Sequence, residues 1–225
     1  MTTTEGRRAV PGAPRRARRT RRPVLRWLGG LLVLIGLACV GWYTYQAYFE
    51  PVIDEQGARA QVSEVKKRWA QGMPETAPVP DQAMGLLRVP GFGPDYEVAV
   101  VDGISEYALS VGVGWFPGTA GPGQIGNFAL AGHRGRSGPF VQLPELEQGA
   151  LIQVETRDAI YTYRLTNNPS DLTVDKSETW VIDPVPGHPD AKPTKALITL
   201  ITCANFFHSP ERSVAFGELV ETVAK

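Results

Sequence analysis

The sequence predicts a mainly β domain that follows one N-terminal membrane-spanning helix. From about residue 83 the apolar residues come in runs of four to ten, and Gly or Pro separates one run from the next. Within several runs, such as LIQVET at 151–156, apolar and polar residues alternate with a period of two, which is typical of strands with one buried face. About 140 residues of this kind are enough for one β sandwich or closed barrel with a packed core.

The N-terminal segment is strongly basic, although the whole chain has a net charge of zero. Residues 1–26 contain nine arginines and the single acidic residue Glu5, so their charge is about +8 and that of the remainder about −8. This asymmetry indicates a basic tail with its own partner and argues against a nucleic-acid-binding fold. We therefore expect contact with membrane lipid and none with nucleic acid.

The segment from Trp27 to Phe49 is 23 residues long and carries no charge. At about 1.5 Å per residue, a helix of this length crosses a hydrocarbon core of roughly 30 Å. The arginines flank only its N-terminal side, so the positive-inside rule predicts a cytoplasmic tail and an extracellular remainder. A cleaved signal peptide, the alternative, would have a shorter apolar core and a small-residue cleavage site, whereas this segment continues into WYTYQAYFEP. The sequence thus predicts an uncleaved single-pass anchor in the cell membrane.

The region between the anchor and the β domain has two parts. Glu55 to Gln71 is rich in helix formers and is followed by Gly72, which predicts a juxtamembrane helix that is mostly solvated. Met73 to Gln82 contains three prolines and predicts a semi-rigid linker. The predicted division of the chain is a basic tail at 1–26, an anchor at 27–49, a helix and linker at 50–82 and a folded domain at 83–225.

Nine runs of the folded domain are predicted to be strands, and helix is expected only in short pieces. The predicted strands are GLLRVP, EVAVVD, NFALAG, LIQVET, AIYTYRLT, DLTV, WVID, ALITLIT and SVAFGELVET. The short helical pieces are SEYALSVG and FVQLPELEQG. Because turn residues separate the runs, most strand pairs are expected to be antiparallel.

Cys203 is the single cysteine of the predicted exported part, because Cys39 lies in the predicted span. No disulfide can therefore form within the exported domain. Cys203 ends the β-type run ALITLITC, where it is either a buried small apolar residue or a nucleophile.

Three histidines could serve as the partner of such a thiol. His133 follows the predicted strand GNFALA and precedes a Gly-rich turn, and a strand end holds a side chain rigidly while leaving it accessible for acid–base chemistry. His188 lies in a Pro-rich loop and is expected to be exposed, and His208 lies five residues after Cys203. A zinc site formed by Cys203 and two histidines fits no familiar ligand spacing.

Arg212 lies nine residues after Cys203, at the start of the last predicted strand. If a hairpin joins the two strands, Arg212 returns alongside the cysteine, where a guanidinium can stabilise an oxyanion or hold peptide carbonyls. The alternative is a surface ion pair with Glu211 or Glu218.

These residues together resemble the sortases, a family of cysteine transpeptidases. TLITC at 199–203 matches the sortase signature TLxTC, ALAGHR at 129–134 matches the segment of the catalytic histidine, and Arg212 falls where the active-site arginine falls. GLLRVP, FPGTAGPGQIGN and VAFGELVE extend the likeness to nearly all of residues 84–222. The GHR context and the nine-residue step from cysteine to arginine most resemble the class E sortases of actinobacteria.

The resemblance implies a closed eight-stranded β-barrel and a set of roles. Cys203 would be the nucleophile that cleaves an LPxTG- or LAxTG-type sorting signal between Thr and Gly, His133 the acid and base, and Arg212 the carbonyl or oxyanion ligand. The substrates would be exported proteins with a C-terminal sorting signal, and the acceptor an amine of a peptidoglycan precursor or a pilin. No cofactor is implied, and DLTVDKSETWVIDP has no acidic cluster like the calcium sites of other sortases, so no metal is expected.

Two further residues are predicted to contact the substrate. Class E members commonly have GHYPGTALPG where this chain has GWFPGTAGPG, so Phe116 replaces a tyrosine and lacks its hydroxyl. The choice between LPxTG and LAxTG therefore stays open. Thr202, within TLITC, is the second candidate.

A different class of function is also consistent with the residues. The chain could be a non-catalytic, membrane-tethered β domain that binds wall or envelope proteins. In that case Cys203 would be a structural residue.

Overall fold

The computed structural model describes residues 22–49, 53–73, 78–135, 137–205 and 209–225. The described residues divide into two units, one within Met1–Phe49 and the other within Glu50–Lys225. Most of the predicted basic tail (1–21), part of the predicted linker (74–77) and His208 lie outside the described residues.

Helix α1 extends over Arg22–Phe49 and is the described part of the first unit. Its stretch Arg26–Tyr45 is long and apolar enough to cross a membrane. Large apolar side chains such as Leu34 are exposed all along this stretch, as expected for a helix whose surroundings are lipid. The predicted apolar helix is thus confirmed, whereas its orientation stays a prediction.

Helix α2, Glu55–Ala70, begins the second unit. The Asp54 carboxylate caps it by accepting hydrogen bonds from the backbone N–H groups of Gln56 (3.1 Å) and Gly57 (3.0 Å). Val65 is fully buried against the apolar side chains of Ala83, Leu86, Ala99, Val101, Ala108 and Val111. The sequence predicts a mostly solvated helix, but the structure packs one of its faces against the β domain, because apolar residues recur along it at helical spacing.

The strands are β1 Ala83–Arg88, β2 Val98–Asp102, β3 Val113–Trp115, β4 Gly126–Ala131, β5 Leu151–Glu155, β6 Ala159–Leu165, β7 Thr173–Asp175, β8 Ala196–Cys203 and β9 Glu211–Ala224. Eight of these strands form a closed barrel in the order β6-β5-β1-β2-β3-β4-β8-β9, and a β6–β9 pairing closes it. The short strand β7 pairs with the first residues of β9, outside the closed ring. The predicted eight-stranded barrel is therefore confirmed.

The structure corrects several local predictions. WVID is not a strand, because Thr179–Ile182 forms a 3-10 turn, and β3 was not predicted at all. SEYALSVG contains the helix α3, Glu106–Val111, whereas FVQLPELEQG contains only the 3-10 turn Leu143–Glu145. Most pairs are antiparallel, but β2–β3 and β4–β8 are parallel.

The alternation of side chains along β8 separates an inner from an outer face. Ile198 and Leu200 belong to the barrel core, together with Phe128, Leu130 and Tyr163. Ile201 points to the other side and joins a second cluster on the outside of the barrel. We call this second set the outer-face cluster; it consists of Phe116, Leu172, Val174, Trp180, Val181, Ile182, Ile201, Val214 and Phe216.

Candidate active site

Cys203 is the last residue of β8 and is paired directly with Arg212 of the antiparallel strand β9. Directly opposed residues of an antiparallel pair have their Cβ atoms about 5 Å apart and point to the same face. Because side chains alternate along β8, Cys203 shares the outer face with Ile201. Both Cys203 and Arg212 are half-buried. A thiol and a guanidinium are therefore neighbours at the edge of the outer-face cluster.

His133 reaches the same level from the other side of β8. Strand β4 runs parallel to β8 with Ala131 opposite Ile201, and the Gly132 N–H donates to the Ile201 carbonyl at 3.0 Å. Continued for two residues past the last pair, this register places His133 level with Cys203. Adjacent strands lie about 4.8 Å apart, so a side chain at this position is a neighbour of the Cys203 thiol, as an acid–base partner must be. His133 is half-buried, as suits a group that must be both fixed and accessible.

The loop that follows His133 turns back onto it. The Phe140 N–H donates to the His133 carbonyl at 3.0 Å, and a Cβ at Gly138 would lie only 2.2 Å from that same oxygen, so glycine permits the close turn. The Tyr96 hydroxyl donates to the Pro139 carbonyl at 2.6 Å, and burial raises the pKa of Tyr96 well above its usual value. The neutral phenol therefore remains a donor. Tyr96 had no predicted role, and no local pattern in the sequence marks it.

Thr202 points to the inside of the barrel. Its hydroxyl is buried and donates to the Gly132 carbonyl at 2.8 Å, which links β8 to β4 one residue before Cys203. The substrate contact predicted for Thr202 stays a prediction, and in the structure its hydroxyl has this internal partner.

Arg212 does not form the surface ion pair that was its alternative. Its Nη1 donates to the backbone carbonyls of Ser209 (2.6 Å) and Glu211 (3.0 Å). The Glu218 carboxylate is paired with Lys195 at 2.9 Å. The guanidinium is thus oriented by the backbone at the start of its strand and just before it, beside Cys203.

Phe116 lies in the outer-face cluster, next to β3. Its backbone N–H donates to the Ala129 carbonyl at 3.0 Å, so its position is fixed by β4. The ring packs in the cluster that contains Ile201, two residues before Cys203. The structure therefore places this predicted substrate contact on the same face as the thiol.

A buried polar contact holds part of that cluster in place. The Thr199 hydroxyl donates to the Asn127 side-chain oxygen at 2.7 Å, and the Asn127 amide donates to the carbonyls of Val181 (3.1 Å) and Asp183 (3.0 Å). Asn127 and Thr199 are almost fully buried, so each bond replaces one to water. The 3-10 segment beside the outer-face cluster is thereby attached to β4. Thr199, the first threonine of TLITC, therefore has a structural role through its hydrogen bond to Asn127.

The other two histidines and the possibility of a metal site remain to be compared with the structure. His188 is exposed in its loop, as expected, and His208 lies outside the described residues. Within the described ranges, no group of three His, Cys, Asp or Glu side chains could hold a metal ion. The expectation that no cofactor is needed stays a prediction.

A closed barrel with a thiol, an imidazole and a guanidinium near the ends of three adjacent strands has the layout of a cysteine-dependent acyl-transfer enzyme. The model of the Sortase domain matches residues 87–220, which is more than half of the sequence. The chain therefore belongs to the sortase family, whose members are cysteine transpeptidases.

Similar proteins agree with this assignment. Sortase SrtE1 of Streptomyces coelicolor is 32% identical over 92% of this chain, which spans 62% of the length of SrtE1. Sortase SrtE2 of the same organism is 30% identical, over 87% of this chain and 81% of SrtE2. The crystal structure of sortase E1 from S. coelicolor with a tripeptide in the active site superposes with a TM-score of 0.56 and 33% identity, over 66% of this chain and 94% of that one. The predicted resemblance to class E is thereby confirmed.

Proposed function

We propose that this chain is a membrane-anchored cysteine transpeptidase. It cleaves a C-terminal LPxTG- or LAxTG-type sorting signal between Thr and Gly and joins the Thr carboxyl group to an amine. The observation that carries the proposal is the pairing of Cys203 with Arg212 on β8 and β9, with His133 level with them at the end of β4. The family supports the same chemistry.

The reaction proceeds through two acyl transfers. The Cys203 thiol gives its proton to His133 as Sγ attacks the carbonyl carbon of the Thr–Gly bond; the C–N bond then breaks, and His133 passes that proton to the departing glycine amine. The threonine is left as a thioester on Sγ. An acceptor amine then attacks the thioester carbon, His133 takes up its proton, and Sγ departs.

Arg212 stabilises the charge that develops on the substrate carbonyl. A guanidinium has five N–H donors, and the two backbone bonds of Arg212 use those on Nη1. The donors on Nη2 and Nε are not used by these two bonds and are of the type that holds a carbonyl oxygen or an oxyanion. A fixed, permanently charged donor needs no rearrangement as the negative charge appears.

The outer-face cluster receives the apolar part of the sorting signal. It is adjacent to Cys203 on the same face, and Phe116 contributes a ring without a hydroxyl. A phenylalanine selects by shape alone, so it discriminates weakly between Pro and Ala at the second position of the signal. Thr202 is not part of this surface, because its buried hydroxyl points into the barrel and donates to the Gly132 carbonyl. Replacement Phe116→Tyr is expected to raise kcat/KM for an LAxTG peptide relative to an LPxTG peptide; an unchanged ratio contradicts a role of residue 116 in this choice.

The proposed placement of the chain follows from α1 and its arginines. The tail at 1–26 is cytoplasmic, 27–49 crosses the cell membrane, 50–82 leads to the domain, and the catalytic domain at 83–225 is extracellular. The substrates are exported proteins, and the acceptor is an amine of a peptidoglycan precursor or a pilin. Tethering enzyme and substrate to one membrane raises their effective concentration.

The direct test uses the full chain, purified in detergent. It is incubated with LPxTG and LAxTG reporter peptides and a small primary amine, and the products are identified by mass. The wild type is expected to form the Thr–amine conjugate and a thioacyl adduct at Cys203. The variant Cys203→Ala is expected to form neither, with its fold unchanged. An inactive wild type, or an active Cys203→Ala, refutes the proposal and favours the non-catalytic alternative.

The assignment of the acid and base is tested in the same assay. His133→Ala is expected to abolish turnover, while His188→Ala, in an exposed loop, keeps it. His208→Ala is the third variant. Loss of turnover in His208→Ala with activity kept in His133→Ala would move the role from one histidine to the other.

A further inference from the structure

The pairing between β4 and β8 ends just before His133 and Cys203. The last paired residues of β4 and β8 are Ala131 and Ile201, and one more backbone bond joins Gly132 to Ile201 at 3.0 Å. Cys203 is still held by its pairing with β9, but His133 has left the ladder. The ladder alone therefore does not determine the distance between the two groups.

Two side-chain hydrogen bonds span the strands where the ladder has ended. The buried Thr202 hydroxyl donates to the Gly132 carbonyl at 2.8 Å, one residue before the catalytic level. The Nη1 of Arg134 donates to the Ala204 carbonyl, one residue after it. One bond starts on the cysteine strand and the other on the histidine side, so together they bracket His133 and Cys203.

The carbonyl that Arg134 binds belongs to a residue that is itself held in place. The Ala204 N–H donates to the Glu211 carbonyl of β9 at 3.0 Å. On the other side, the bond from Phe140 to the His133 carbonyl closes the loop behind the imidazole at 3.0 Å. Arg134 thus joins two segments that are each anchored by backbone bonds.

We propose that Arg134 is a positioning residue that sets the separation of the Cys203 thiol and the His133 imidazole. This inference rests on the proposed function. A charged donor makes a hydrogen bond about twice as strong as a neutral one, and the planar guanidinium loses little freedom in making it. Without it, the segment after His133 loses a hydrogen bond to the cysteine side, and a shift of about 1 Å in a reacting group can cost roughly 100-fold in rate.

The kinetic test compares Arg134→Ala and Arg134→Lys with Arg164→Ala in the full chain. Arg164 is exposed on β6 and serves as a matched loss of one arginine. Arg134→Ala is expected to lower kcat about 10- to 100-fold with KM for the sorting peptide changed less than about twofold. Arg134→Lys, which keeps a donor, restores part of kcat, and Arg164→Ala behaves as wild type.

A second measurement probes the surroundings of the His133 ring and does not depend on turnover. The chain has three histidines, so ring signals of isotope-labelled histidine can be assigned with His→Gln variants. Arg134→Ala is expected to shift the His133 ring signals, and Arg164→Ala to leave them in place.

The outcomes separate the two proposals. An inactive wild type refutes the proposed transpeptidase, and the ring signals then still test the positioning. An active wild type with unchanged kcat and unchanged His133 signals in Arg134→Ala overturns the role of Arg134. If Arg134→Ala does not fold, Arg134→Lys and Arg134→Gln are measured instead, and wild-type kcat in both overturns it equally.

Discussion

Helix α2 is packed on the β domain of the second unit, and Val65→Ala tests this directly. Val65 is 0% exposed and packs on residues of β1, β2 and α3. The next residue towards the N-terminus, Glu64, is exposed on the same helix. Glu64→Ala is therefore a matched control that changes helix composition but no buried contact.

The expected loss of stability follows from the two carbon atoms removed. At about 0.8 kcal/mol per buried carbon, the transfer free energy lost is roughly 1.6 kcal/mol, and the remaining void adds to it. Alanine returns roughly 0.5 kcal/mol through its higher helix propensity. The net cost is about 1.5–2 kcal/mol, which lowers Tm by about 3–8 °C in a domain of this size.

The assay is thermal unfolding of the full chain in detergent, followed by near-ultraviolet circular dichroism of the packed aromatic side chains. Val65→Ala is expected to melt below the wild type by the stated amount, and Glu64→Ala within about 1 °C of it. Identical melting of all three proteins would refute the reasoning, since it would mean that α2 is the solvated stalk that the sequence alone suggests.

Three further predictions concern the site and its support. Arg212→Lys keeps the charge but loses the planar fork, so transpeptidation is expected to fall by about 10²-fold; a fully active Lys variant would show that charge alone suffices. Burial of the Glu155 carboxyl raises its pKa, but hydrogen bonds from Lys225 and Arg88 outweigh this and lower it below its ordinary 4.5. Glu155 thus stabilises the fold above pH 4.5, and this contribution is lost as the pH falls through the lowered pKa. Over that pH range the Tm of Glu155→Gln should therefore change less with pH than the Tm of the wild type. Asn127→Ala leaves buried carbonyls unpaired and is expected to cost about 1–3 kcal/mol in the free energy of unfolding by denaturant; wild-type stability would contradict its role.

Much of the fold follows from local patterns. Period-two alternation and turn residues predict eight of the nine strands, and the run that ends at Cys203 is a strand that ends at that residue. β3 escapes prediction because it has three residues and contains a glycine. WVID is apolar enough for a strand, yet it forms a 3-10 turn whose carbonyl is held by Asn127. An apolar run shows that a segment is buried, but not which partner buries it.

The hydrogen bonds of Arg134 and Tyr96 that support the site were not predicted from the sequence. Arg134 follows His133 directly in the sequence, and Tyr96 lies 37 residues before His133. Each acts on a backbone carbonyl of a different segment, Ala204 for Arg134 and Pro139 for Tyr96. Every residue type has the same backbone carbonyl, so no side-chain pattern in the sequence predicts a hydrogen bond to it.

The sequence by itself determined an N-terminal helix long and apolar enough to cross a membrane, the β character of the domain and the three groups that could perform acyl transfer, because apolar length and residue chemistry are local properties. Only the tertiary structure decided that β4 and β8 are parallel neighbours, so that His133 and Cys203, 70 residues apart, lie at one level. It also decided that α2 packs on the barrel. Strand partners and register are chosen by hydrogen bonds and burial summed over the whole closed sheet, and those terms exist only when the distant segments meet.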